Sequence, residues 1–134
     1  MTEQKSKIKK WAIIVVRFLL GAGLLFNGIN MFAMFMPLPN PQQGELATRF
    51  LTILGEAGYF YPILGTVKIL TALALFTNRY MALMLVVMFP ITLNGILFHF
   101  RMDPSTQFAA LFVGLLQVYL MYESRDRYFD IFRP

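Results

Sequence analysis

No cysteine occurs anywhere in the 134 residues. Disulfides, thiol relays, iron–sulfur clusters and cysteine–zinc sites are therefore excluded. One histidine, His99, is too few to build a metal cluster alone. The only serines, Ser6, Ser105 and Ser124, lie outside the apolar runs, which argues against a Ser–His–Asp set. There is no glycine-rich phosphate loop and no cluster of carboxylates. Charge is scarce as well: 14 % of residues, against about 25 % in an average soluble chain. No carboxylate sits deep in an apolar run.

Apolar side chains are what the sequence has in excess. They make up 57 % of it, and aromatic residues alone 16 %. So short a chain buries too little surface to hide them all, and much of the molecule must face lipid. The net charge of +5 does not point to nucleic acid, because the basic residues gather at the ends of the apolar runs. That distribution belongs to membrane topology and to contact with anionic lipid.

Four runs are long enough to cross a bilayer, at about residues 11–35, 59–77, 80–100 and 107–122. The first outlasts a signal-peptide core and lacks an A-x-A-like cleavage site, so it reads as an uncleaved membrane helix. "PLPNPQQG" ends it, with three prolines in five residues. "TNRY" makes a tight turn between the second and third runs, and "RMDPST" a loop before the fourth. Tyr119 and Tyr122 read as interface anchors.

Between the first two runs, Leu46, Phe50, Ile53, Leu54 and Ala57 recur at helical spacing. They predict a short amphipathic helix over about residues 45–57, lying at the interface or folding back as a lid. The expected fold is thus one all-α domain over residues 1–134, an integral membrane four-helix bundle with this helix inserted. Eight basic residues (Lys5, Lys7, Lys9, Lys10, Arg79, Arg125, Arg127, Arg133) fall on one side and only Arg49 and Arg101 on the other, which predicts cytoplasmic termini. The tail "YESRDRYFDIFRP" reads as a solvated end whose rings touch the headgroups.

Two cations lie within the runs. Arg17 is about 9 Å into the first helix, shallow enough to snorkel to the headgroups or to turn inward to a partner. Lys68 is about 13–14 Å into the second, too deep for easy snorkelling. A charge at the bilayer centre costs at least ~2.5–3.5 kcal/mol and usually marks function. Gly65, Lys68 and Ala72 form one stripe, so the lysine faces helix packing. Either it bonds to carbonyl or asparagine oxygens and fastens the bundle, or it binds an anionic or carbonyl-bearing ligand or carries a proton.

Depth along the helices puts further polar groups above it. Asn27 and Asn30 lie about 24–29 Å along the first helix, Asn94 about 21 Å and His99 about 28 Å along the third. Asn27 and Asn30 are related as i, i+3, and Thr92, Gly95 and His99 share a face. Pro90 frees the carbonyl of Val86 inside the membrane. These groups predict either interhelical hydrogen bonds or an outward-facing pocket with Lys68 at its floor. His99, beside Arg101, also admits a plain interfacial role.

In "RFLLGAGLLFNGINMF" and "LGTVKILTALALFTNRYMALMLVVMFPITLNGILFHF" the chain resembles the DoxX-like family of small membrane proteins. The likeness is an arginine followed by glycines and an asparagine in the first helix, a lysine in the second, then P-x-x-x-N and a closing Phe-His in the third. By motif it carries over to Arg17, Lys68, Pro90, Asn94 and His99. The resemblance implies a four-helix membrane bundle in the bacterial cytoplasmic membrane. The family takes its name from a subunit of a thiosulfate:quinone oxidoreductase, and relatives are linked to redox or stress complexes or to membrane-protein assembly. It therefore admits a quinone as cofactor and a membrane redox or assembly partner. The leading expectation is a non-catalytic accessory or ligand-binding protein. The alternatives are a quinone-linked oxidoreductase subunit, holding a quinone carbonyl with Lys68 and His99, and a small transporter assembled from two copies.

Overall fold

The computed structural model of the chain describes residues 2–38 and 43–134. Among them there is no strand. Five α-helices follow in order: α1 (Thr2–Ala33), α2 (Glu45–Ala57), α3 (Phe60–Thr77), α4 (Met81–Met102) and α5 (Gln107–Glu123). A 3-10 turn, Pro104–Thr106, precedes α5, and a 3-10 helix, Arg125–Phe132, follows it. Helices α1, α3, α4 and, with its leading turn, α5 are long and apolar enough to cross a membrane. The protein is an all-α, multi-pass membrane helical bundle.

Helix α1 is longer than the apolar run predicts, because the lysine-rich N-terminal segment continues it. At about 1.5 Å per residue its 32 residues reach ~48 Å, well beyond a ~30 Å hydrocarbon core. It stops at Ala33, ahead of the prolines. Asn30 closes the turn there: its Nδ2 donates to the Met36 carbonyl (3.1 Å), and the Met36 N–H donates to its Oδ1 (2.8 Å). Pro39 and Pro41, expected to stop this helix, lie outside the described residues.

Helix α2 occupies the predicted span, but its buried face is rotated. Ala47 is fully buried and Phe50, Leu51 and Leu54 half-buried, whereas Leu46, Ile53 and Ala57 are exposed. The face is set by its neighbours. The Phe50 ring packs 5.7 Å from that of Phe98, and the Tyr61 hydroxyl donates to the Leu51 carbonyl (2.6 Å). Gly58 ends the helix at φ 83°, a conformation that favours glycine.

The bundle runs round in the order α1, α3, α4, α5, with α1 and α4 across its diagonal. The tightest crossing joins α1 and α3, where Gly28 and Gly65 meet. A Cβ on Gly65 would sit 2.9 Å from the Gly28 carbonyl oxygen, so only glycine permits this approach. Leu20, Leu24, Leu75, Leu85, Met88 and Leu120 fill the shared core.

Both termini lie at one end. There, Lys9 Nζ lies 3.1 Å from Glu123 Oε2. The tail departs from the solvated end read from its sequence. Tyr128 is buried, and its hydroxyl donates to the Ala82 carbonyl at the start of α4 (2.8 Å). Burial raises its phenol above the ordinary value, and the Arg127 charge opposes this in part. Phe129, Ile131 and Phe132 remain exposed, consistent with rings and side chains at the headgroups.

Candidate functional site

Across the α1–α4 diagonal lies a cavity of about 360 Å³. Helix α1 lines it from Leu19 to Asn27, α4 from Met88 to His99, α5 from Ala110 to Leu116, and α3 through Lys68 alone. Its polar residues are Asn27, Lys68, Thr92 and His99; the remaining wall is apolar side chain and glycine. The rim residues Leu19, Phe112 and Val113 are exposed, so the cavity is open along the α1–α5 seam. No residue of helix α2 lines the wall.

Lys68 reaches the cavity because α3 presents Gly65 and Ala72 to the bundle on the same face. The lysine is half-buried. It makes no hydrogen bond or ion pair with any described residue. Its surroundings explain why. Between Ala57 and Met102 the chain has no carboxylate, and the nearby helix carbonyls are used by their own helix.

The other polar groups of the wall are partly committed. Asn27 Nδ2 donates to the Gly23 carbonyl one turn back (3.3 Å), leaving its Oδ1 unengaged by described residues. Thr92 donates to Gln117 Oε1 (2.5 Å), and Gln117 Nε2 donates to the Leu85 carbonyl (2.9 Å). Gln117 is 1 % exposed and ties α5 to α4 through Thr92 and Leu85. Sequence reasoning passed over it. An amide in the middle of the fourth apolar run was the available signal. Pro90 is exposed within α4, and the carbonyl that receives this side chain belongs to Leu85 and not to Val86.

His99 is oriented from the loop side. Thr106 Oγ1 lies 2.6 Å from its Nδ1, and Asp103 Oδ2 lies 3.7 Å from the same nitrogen. The Thr106 hydroxyl also donates to Asp103 Oδ2 (3.1 Å). Nδ1 thus faces Thr106 and Asp103, and Nε2 is the ring nitrogen without a partner among the described residues. Ser105 Oγ donates to Asp103 Oδ1 (2.7 Å) and Gln43 Nε2 to Oδ2 (3.3 Å). The Ser105 bond lowers the Asp103 carboxyl most; Thr106, Gln43 and the nearby His99 lower it further, against the opposing effect of burial. Ser105, His99 and Asp103 thus come together, but the serine is bonded to the carboxylate and not to the ring. This is a latch on His99, not a catalytic triad.

Of the residues expected in the pocket, Lys68, Asn27 and His99 line one cavity and Asn30 and Asn94 do not. Asn30 is buried and spends both ends of its amide on Met36. Asn94 is exposed on another face of α4. At about 100° per residue it lies ~200° round the helix from Thr92, whereas Gly95 and His99 share the Thr92 side. Arg17 is apart from the cavity. Its Nε donates to the Leu75 carbonyl (2.8 Å) and its Nη2 to that of Phe76 (3.3 Å), so it turns inward and caps α3.

The arrangement offers a cation at depth, apolar walls, and an oriented imidazole at the loop end. That chemistry suits holding a polar headgroup beside a hydrocarbon body. Comparison with known proteins returned no match to a family model, a curated protein or a solved structure.

Proposed function

We propose that this protein is a DoxX-like membrane protein that binds a small amphipathic ligand in the cavity floored by Lys68, in a non-catalytic, accessory role. One observation carries the reading: Lys68 lines the cavity without a hydrogen bond or ion pair to any described residue. A lysine serving only to fasten helices would be spent on protein acceptors. The basic-residue bias supports an orientation with both termini in the cytoplasm, and the DoxX-like resemblance supports the bacterial cytoplasmic membrane. The opening along the α1–α5 seam then faces the lipid of the outer leaflet.

A quinone-linked subunit is the second reading. It is favoured by the presence of Lys68 and His99, the pair it requires, in one cavity wall. A membrane redox partner would supply the electrons.

The test is mass spectrometry of small molecules extracted from purified protein. Wild type carries a bound amphiphile that Lys68→Met loses. Identical extracts from the two proteins would sink ligand binding at this lysine.

A further inference from the structure

We infer that the ligand is a single-chain amphiphile with one acidic headgroup, a fatty-acid-like molecule taken from the bilayer, whose carboxylate pairs with Lys68. This rests on the binding role proposed above and narrows it to one chemical class.

Charge comes first. Among the described residues Lys68 is the one lysine or arginine in the wall, and no carboxylate lines the cavity. Arg17, the other cation within the apolar runs, is spent on the Leu75 and Phe76 carbonyls. An arriving monoanion turns an unpaired cation in low dielectric into an ion pair. A neutral ester or quinone carbonyl gives only a charge–dipole contact. A dianionic phosphate would leave one charge unmatched.

Donors point the same way. The Thr92 hydroxyl hydrogen goes to Gln117, and one Asn27 amide hydrogen to Gly23. The Lys68 ammonium and the second Asn27 N–H stay without an acceptor among the described residues, enough for one carboxylate. Size favours one chain inside: about 360 Å³ lies at the low end of the ~300–1,000 Å³ range of small-molecule sites. The opening along the α1–α5 seam, rimmed by Leu19, Phe112 and Val113, admits that chain from lipid.

The experiment measures binding to full-length protein in neutral detergent. The probes are a long-chain fatty acid, its methyl ester and a short-tailed benzoquinone, at a pH where the acid is ionised. The acid is expected to bind about tenfold or more tightly than its ester, as a pair formed in low dielectric requires. Lys68→Met brings the acid down to the ester's affinity. Gly23→Leu, which grows into open cavity space, weakens acid and ester together without touching the lysine. Equal affinity for acid and ester, or tighter binding of the benzoquinone, overturns the acidic class while the binding role stands. Failure of all three probes to bind folded protein overturns both.

Discussion

Arg17 on α1 holds the last carbonyls of α3, with its Nε 2.8 Å from the Leu75 oxygen. Position alone left this arginine between snorkelling and inward contact. Its partner settles the matter, because a helix terminus leaves carbonyls without intrahelical donors and a guanidinium is a fork of donors. Replacing it by methionine strands the Leu75 and Phe76 carbonyls. The expected loss is about 1.5–3 kcal/mol, read from unfolding in mixed micelles. An unchanged unfolding curve would show that the cap contributes nothing.

Gly65→Ala is expected to destabilise the bundle, because its new methyl meets the Gly28 carbonyl at 2.9 Å and Met31 Cβ at 2.9 Å. The helices must part, at a cost of about 1–3 kcal/mol. Gly23→Ala is the matched control, with nothing within 4 Å of its added Cβ. A lower melting temperature for the first and none for the second is the expected pair of results.

Much of this architecture was legible in the sequence. Apart from the start of α1, turn residues and apolar runs gave the helix limits closely, since glycine, proline and asparagine act locally at Gly58, Asn78 and Pro104. The site was legible only in part. Asn30 looked like a pocket residue because depth was counted and the turn beyond the helix was not. Asn94 failed on helical angle, which the sequence does contain. The Arg17 cap, the Gln117 tie and the docking of Tyr128 on Ala82 join residues 25 to 59 positions apart, and no local pattern encodes them.

Gln117→Leu should cost little for so buried a residue. Interhelical hydrogen bonds in membranes average ~0.6 kcal/mol and reach ~1.7. A loss in that range is expected, with the Thr92 hydroxyl released into the cavity. A much larger loss in the unfolding assay would mean that the amide, and not apolar packing, holds α5 on α4.

Acid should weaken the latch on His99. The Asp103 carboxyl is lowered below its ordinary value near 3.8, so the unfolded chain binds its proton more readily than the native one. Its contribution is fully present above that value and is lost as pH falls through the lower native value. Asp103→Asn is expected to flatten that acid limb of the stability profile. An unchanged limb in the variant would assign it to other carboxylates.

Stability also separates a binding lysine from a fastening one. In ligand-free protein, Lys68→Met removes an unpaired cation and is expected to stabilise the bundle, by up to about 2.5–3.5 kcal/mol on insertion scales. Destabilisation would place Lys68 among the structural ties.

Native mass spectrometry of the intact protein released from detergent tests the central claim most directly. Wild type and Asn94→Leu, altered on the exposed face of α4, are expected to carry one bound amphiphile per chain, and Lys68→Met none. A ligand mass retained in full by Lys68→Met, or absent from all three proteins, would contradict a binding site at Lys68.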